Sequence, residues 1–198
     1  MLKKQIRILG IDDSPHYKGQ KAKVLVIGVL FRGGEYLDNL ISTFVDLDGL
    51  DATDKIIEMV KKSRLAKTLH AVMLDGIALA GFNVIDINKM ATELNCPVIV
   101  VTRQKPNYAA IKAALKHFKD GFARWKIILK AGDVKEFLVK NKQLANPTKI
   151  YFQFSGTTEE VAKAILKLTI KHGTIPEPIR VAHIIGQGIV LGESRGRA

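Results

Sequence analysis

The 198-residue sequence has one cysteine, Cys96, set in the apolar stretch LNCPVIVV with no second thiol to pair with. An intrachain disulfide framework is thereby excluded, and a reducing, cytoplasmic location is the expectation. Long hydrophobic runs are missing too: the longest, such as VLVIGVLF, fall far short of the roughly 20 residues a membrane-spanning helix needs. The opening residues, MLKKQIRILGIDDSP, have lysines but no long apolar core and no small-residue cleavage site, so no signal peptide is expected. Internal repeats, low-complexity segments and linkers long enough to divide domains are absent. Acidic groups are scarce in one region only. Residues 99–150 hold twelve lysines and arginines against three acidic residues, a net +9 of the chain's +12. Such a local field favours polyanions such as nucleic acid or phosphorylated ligands, and a solvated lysine-rich surface is the competing reading.

What is present is ordinary globular material, 47% hydrophobic and 25% charged, enough at this length for one domain with a real core. Ile6–Ile11 reads as a strand running into the turn-forming Asp12-Asp13-Ser14-Pro15. Lys23–Phe31 is almost uniformly apolar, as a strand buried on both faces should be, and Arg32-Gly33-Gly34-Glu35 turns it into Tyr36–Val45. A helix starts at Asp51-Ala52-Thr53-Asp54 and fades near Lys67. A strand at His70–Leu74, a helix at Val84–Leu94, a strand at Pro97–Thr102 and a helix at Tyr108–Phe118 follow. The apolar run at Lys126–Lys130 predicts a strand, with Val134–Val139 left unassigned. Lys149–Phe154 is a late strand, Thr157–Lys171 an amphipathic helix and Pro178–Ile185 a short terminal helix. Three consecutive strands and then alternating helices and strands predict an α/β sheet, antiparallel at its opening and parallel after it. Residues 1–185 form a single domain on this reading, and the glycine- and arginine-containing 186–198 a C-terminal tail.

The residues able to carry chemistry are mostly aspartates. Asp12 and Asp13 end the first strand, and strand neighbours face opposite sides, so only one of them can join a given site. Asp75 ends a later strand before Gly76, which permits a close turn of the backbone. Open α/β sheets collect ligands at the carboxyl ends of strands. A hard divalent cation there takes one or two carboxylates and keeps waters for a phosphate substrate. A third carboxylate from a helix start would complete the set, with Asp48, Asp51 and Asp54 as candidates, each of them also a plain turn former or cap.

Three stretches extend this reading by resemblance. RILGIDDS at 7–14 resembles the first-strand motif of the endonuclease V family, a hydrophobic strand ending in Gly-hydrophobic-Asp. Residues 70–106, from HAVMLDG to PVIVVTRQKP, resemble its Asp-Gly strand, following helix and Pro-initiated strand. KIYFQFSGTTEE and the Pro-Glu-Pro-x-Arg-x-Ala-His run at Pro176–His183 resemble its closing segment. The wording of LFRGGEYLDNLISTFVDLDGLDATDKI is closer still to an uncharacterised, largely archaeal family distantly related to endonuclease V.

The resemblance implies a ribonuclease-H-like mixed sheet of the endonuclease V type. It also implies a nuclease dependent on Mg²⁺ (or Mn²⁺) and a nucleic-acid partner, DNA or RNA. Carried over by position, Asp12 and Asp75 become the first two metal ligands, Asp51 stands in for the third, and His183 lies at the edge of the site. Arg103 and Lys105 follow the buried strand where the family has basic residues, and Arg180 sits inside PEPIR, either facing a phosphate or pairing with a carboxylate. The family's catalytic glutamate has no Glu counterpart, its proline-and-tyrosine wedge is absent between Gly33 and Asp46, and Ala80-Gly81-Phe82 replaces its His-Pro-Arg. The expectation is therefore an endonuclease-V-like phosphodiesterase with altered substrate choice. A non-catalytic nucleic-acid-binding module and a nucleotide- or small-molecule-binding protein on the same fold are the alternatives.

Overall fold

Residues 5–16, 23–140 and 146–195 are described by the computed structural model. The opening strands form where the apolar pattern requires, as β1 (Arg7–Asp13), β2 (Lys23–Arg32) and β3 (Tyr36–Asp46). Gly33 and Gly34, both at positive φ, turn β2 back into β3. Helix α1 (Ala52–Lys62) follows, with Ile56, Ile57, Met59 and Val60 buried on one face. Next come β4 (Ala71–Asp75), the short pair β5 (Ala78–Leu79) and β6 (Asn83–Val84), and α2 (Ile87–Leu94). The Asp86 carboxylate caps α2 by accepting from the Asn88 and Lys89 amides. Then come β7 (Val98–Thr102), α3 (Tyr108–Leu115), α4 (Gly121–Lys130), β8 (Lys135–Val139), β9 (Thr148–Ser155), α5 (Glu159–Thr169) and α6 (Glu177–Leu191).

Seven strands make one sheet in the order β3-β2-β1-β4-β7-β9-β8. β1, β4 and β7 run parallel, and every other neighbouring pair is antiparallel. The strands after the opening are thus not uniformly parallel, since β9 returns antiparallel to β7 and β8 to β9. Alternate residues divide the core between the two faces. Leu9, Ile11, Val72, Leu74, Val98 and Val100 pack with Ile56, Val60 and Met90 of α1 and α2. Ile8, Met73, Ile99, Val101 and Phe152 pack with Ile165 and Leu166 of α5 and Ile179 of α6. Cys96 is buried, and burial pushes its thiol up to about 11. Among the described residues no helix is long and apolar enough to cross a membrane.

Two further sequence expectations fail, for definite reasons. Residues 126–130 belong to helix α4, not to a strand: Gly121, Arg124 and Ile128 are buried at helical spacing, and a short apolar run does not by itself distinguish the two states. The terminal helix runs on to Leu191, and Gly192 closes it in the left-handed conformation, its N–H bonded to the Gly188 carbonyl. Residues 186–191 are therefore helical. Of the arginines beyond them, Arg195 donates its backbone N–H to Gln187 and its side chain to Glu193, and Arg197 lies outside the described residues.

α6 lies directly on β1 because glycine permits it. A Cβ on Gly10 would overlap the backbone of Pro178 and Ile179, and one on Gly186 would stand 2.9 Å from the Ser14 hydroxyl. Gly10→Ala is accordingly expected to push α6 off the sheet and destabilise the fold by about 1–3 kcal/mol or more. Urea denaturation measures this, and an unchanged midpoint would mean that the helix does not depend on the glycine contact.

Candidate functional site

β1 and β4 are paired in register from Ile8 opposite Ala71 to Ile11 opposite Leu74. The next residue on each strand is an aspartate, so Asp12 and Asp75 stand side by side at the carboxyl ends of adjacent parallel strands. Their parity is that of Ile8 and Met73, which places both on the α6 face. Gly76 then takes a positive φ and bonds its N–H to the Val101 carbonyl, turning the chain away. Asp13, of opposite parity, accepts instead from the Ala80 amide at 3.0 Å and lies 3.4 Å from His16.

Asp12 is only 5% exposed. One of its oxygens accepts from the Asp13 amide, and the other meets His183 Nδ1 at 2.8 Å. Gln187, one turn further along α6, places its Nε2 2.9 Å from His183 Nε2 while its Oε1 accepts from the Arg195 amide at 2.7 Å. With the amide nitrogen turned inward, the neutral imidazole satisfies both contacts when Nδ1 carries the proton and donates to Asp12. Burial pushes Asp12 up to about 6 against the pull of His183, with repulsion from Asp75 and Asp13 adding to the rise. Burial raises Asp75 as well, partly offset by Arg103 and His183. The bond to Asp12 raises His183.

A buried carboxylate beside a half-buried one that repels it suits a hard divalent cation that keeps most of its own waters. A third carboxylate does not complete them: among the described residues no three His, Cys, Asp or Glu side chains come together to hold a metal ion. Asp51, the expected third ligand, accepts instead from the Asp46 amide and from Asn83 Nδ2 at 2.7 Å. The other two candidates are engaged elsewhere, Asp48 with the Phe82 amide and Asp54 with Lys89.

The basic candidates divide. Arg103 is exposed just past β7 and within electrostatic reach of Asp75 and His183. Lys105 is exposed two residues on. Arg180 grips buried Glu177 through Nε and Nη2, at 2.6 Å for the shortest contact, so it braces the first turn of α6 and its carboxylate pairing prevails over the phosphate one. Gln187 escaped the sequence reading because it falls in the segment taken for a tail. Its i+4 spacing from His183 and the helix-closing Gly192 are the signals that point to it.

Residues 4–190 match the sequence profile of the family described as Endonuclease dU. The chain belongs to that family. A UPF0215 protein of Methanosarcina mazei is 46% identical over 197 residues, covering 100% of this chain and 97% of the relative. The crystal structure of a protein of unknown function from Archaeoglobus fulgidus superposes with a TM-score of 0.82 at 34% identity, over 94% of this chain and 99% of that one. Endonuclease V of Ciona intestinalis, crystallised with a 24mer DNA containing an inosine followed by a ribo-adenosine, gives a TM-score of 0.57 at 17% identity, over 90% and 83% of the two chains. This chain thus has the ribonuclease-H-like fold seen in endonuclease V.

In the metal-free protein the carboxylate cluster gives stability a pH dependence of one sign. Asp12 holds its proton up to about 6 in the fold and only to 3.8 outside it, so between those values stability falls as pH rises. His183, raised above 6.5, loses its contribution as pH climbs through the raised value. Measured in chelator, this contribution to the denaturation midpoint should decline from about pH 4 to 6 as Asp12 ionises and further as His183 loses its proton, against the opposite trend of surface carboxylates such as Asp38 and Glu58, which ion pairs hold low. Asp75→Asn should flatten that decline, and an identical pH profile in the variant would mean that the carboxylates do not interact.

Proposed function

We infer that this protein is a divalent-metal-dependent phosphodiesterase that cleaves nucleic acid containing a deaminated base. The observation that carries the reading is the pairing of Asp12 and Asp75 at the ends of adjacent parallel strands, with His183 bonded to one of them. Asp12 and Asp75 would hold the ion. A divalent cation bound there supplies charge to offset the phosphate and lowers the pKa of a bound water. The protein's own contribution is positional. His183 fixes the Asp12 carboxylate and can pass a proton through Nδ1, Gln187 holds the imidazole, and Arg103 sets positive charge at the mouth beside Asp75.

The substrate reading follows from the family's description and its fold relative. The family is described as Endonuclease dU, and the Ciona enzyme was crystallised on inosine-containing DNA. Uracil and hypoxanthine both carry a carbonyl where deamination has removed an amine, so deoxyuridine-containing DNA is the first substrate to test. One observation favours a second reading, a binding module without turnover: no third carboxylate joins the pair among the described residues.

Cleavage of uracil-containing, inosine-containing and undamaged DNA and RNA, with Mg²⁺, Mn²⁺ or chelator, separates the two. Metal-dependent cutting of the deaminated substrates is expected, abolished in Asp75→Asn, because asparagine keeps the shape but lacks the charge a hard cation requires. His183→Ala should retain turnover, reduced by about 10²-fold or more. Mg²⁺ or Mn²⁺ should also raise the melting temperature of the wild type and not that of Asp75→Asn. Cutting that persists in Asp75→Asn would place the chemistry elsewhere, and binding without cutting under every condition would favour the second reading.

A further inference from the structure

The positive charge of this chain is not spread evenly over its surface. Many lysines elsewhere on the fold sit beside carboxylates: Lys61 with Glu93, Lys62 with Glu58, Lys89 with Asp54, Lys149 with Glu136 and Lys163 with Glu159. The helical hairpin of α3 and α4 is different. Lys112, Lys116, Lys119, Lys126 and Lys130 are all exposed, and none has a carboxylate within 4 Å among the described residues. The one acidic side chain of the hairpin, Asp120, is taken by Arg124 through paired contacts of 2.7 and 2.8 Å. Arg124 itself is only 3% exposed. Like charges left unneutralised at this density repel one another, and a bound polyanion would remove that cost.

Two large apolar side chains stand exposed among these lysines. Phe122 is 72% exposed and Leu129 55% exposed, on the same outward stripe of α4 as Lys126. The Lys126 ammonium lies 4.5 Å from the centre of the Phe122 ring. An aromatic face set among unpaired cations is the composition of a surface that takes a nucleotide strand, with phosphates on the cations and a base on the ring.

The hairpin adjoins the segment that follows Asp75. Its inner side packs through Leu115, Phe118, Trp125 and Ile128 on Ile77, Phe82 and Val84, the segment that leaves Asp75. The Phe118 and Phe82 rings are 5.3 Å apart. Arg103 and Lys105, between β7 and α3, connect the Asp75 side of the site to the hairpin in the chain itself. We propose that the α3–α4 hairpin is the nucleic-acid-binding surface of this protein, with Lys112, Lys116 and Lys126 on phosphates and Phe122 stacked on an unpaired base. The destination of that strand rests on the phosphodiesterase reading; the binding itself does not.

The test is fluorescence anisotropy on the full-length protein in chelator, with labelled single-stranded and duplex oligonucleotides of one length over a series of salt concentrations. The combined variant Lys112→Gln, Lys116→Gln, Lys126→Gln should bind both at least tenfold more weakly at low salt. Its log–log salt slope should be smaller than wild type by about 2 to 3, at about 0.7–0.9 per lost phosphate contact. Phe122→Ala should lose roughly fivefold or more on the single strand and little on the duplex, as expected for a stacked base. Lys61→Gln with Lys62→Gln, on α1, should leave binding unchanged. All the substituted side chains are exposed, and matching melting curves establish that the variants are folded. Wild-type affinity and salt slope in the triple variant would overturn the proposal, as would no wild-type binding at low salt. Equal loss on both substrates in Phe122→Ala would overturn the stacking role of the ring. Asp75→Asn separates this reading from the preceding one: a protein that never cuts but loses binding in the hairpin variants sinks only the nuclease reading, whereas a protein that cuts and binds normally without the hairpin lysines sinks only this proposal.

Discussion

Helix α6 approaches β1 so closely that a single methyl group at Gly10 would overlap its backbone. Everything at the strand ends follows from that approach. With Pro178 and Ile179 seated on Gly10 and Gly186 against Ser14, His183 falls opposite Asp12, one residue beyond the last β1–β4 pair. The same closeness strips water from Asp12 and makes its carboxylate reluctant to ionise beside Asp75. The result is two neighbouring carboxylates that His183 and Arg103 offset only in part. Gln187 and Arg195 extend the bond network along the helix, so the imidazole is held from both sides.

A second constraint acts on the other face of the sheet. Buried Arg124 donates to the carbonyls of Asp48, Gly49 and Phe82 as well as to Asp120, and its guanidinium stacks 4.7 Å from the Phe118 ring. A buried cation with this many acceptors is costly to disturb, because removing it leaves several polar groups without partners. It ties α4 to the loop after β3 and to the segment after Asp75. Asp48 tightens the same knot, receiving the Phe82 amide while its own amide bonds to the Ala80 carbonyl, with Asp48 and Ala80 both at positive φ. Such strained backbone persists only where its surroundings hold it. The segment that follows Asp75 and the basic hairpin are therefore joined through one buried bond network.

The aspartates expected to supply a third ligand illustrate how far sequence reasoning reached. Asp48, Asp51 and Asp54 all have the residue type and the right neighbourhood in the chain, yet each is spent on a local bond. Nothing in their spacing distinguishes a capping carboxylate from a coordinating one, because both sit at helix starts and turns. Arg180 was open between a phosphate and a carboxylate partner, and buried Glu177 three residues earlier on the same helix decided it.

What the sequence determined by itself was local and periodic. The uniform apolarity of β2, the Gly33-Gly34 turn, the Asp-Gly end of β4 and the helical spacing of α1, α2 and α5 each follow from side-chain pattern and backbone sterics within a dozen residues. They give the order of elements and bring Asp12 and Asp75 to strand ends. The helix at 121–130 and the extension of α6 to Leu191 were decided by tertiary packing, since short apolar or glycine-containing stretches take the conformation their neighbours make favourable. So were the antiparallel return of β9, the bond from His183 to Asp12 across 171 residues and the exposure of the hairpin lysines. Contacts at that separation depend on which faces meet once the sheet has formed, and no spacing along the chain encodes them.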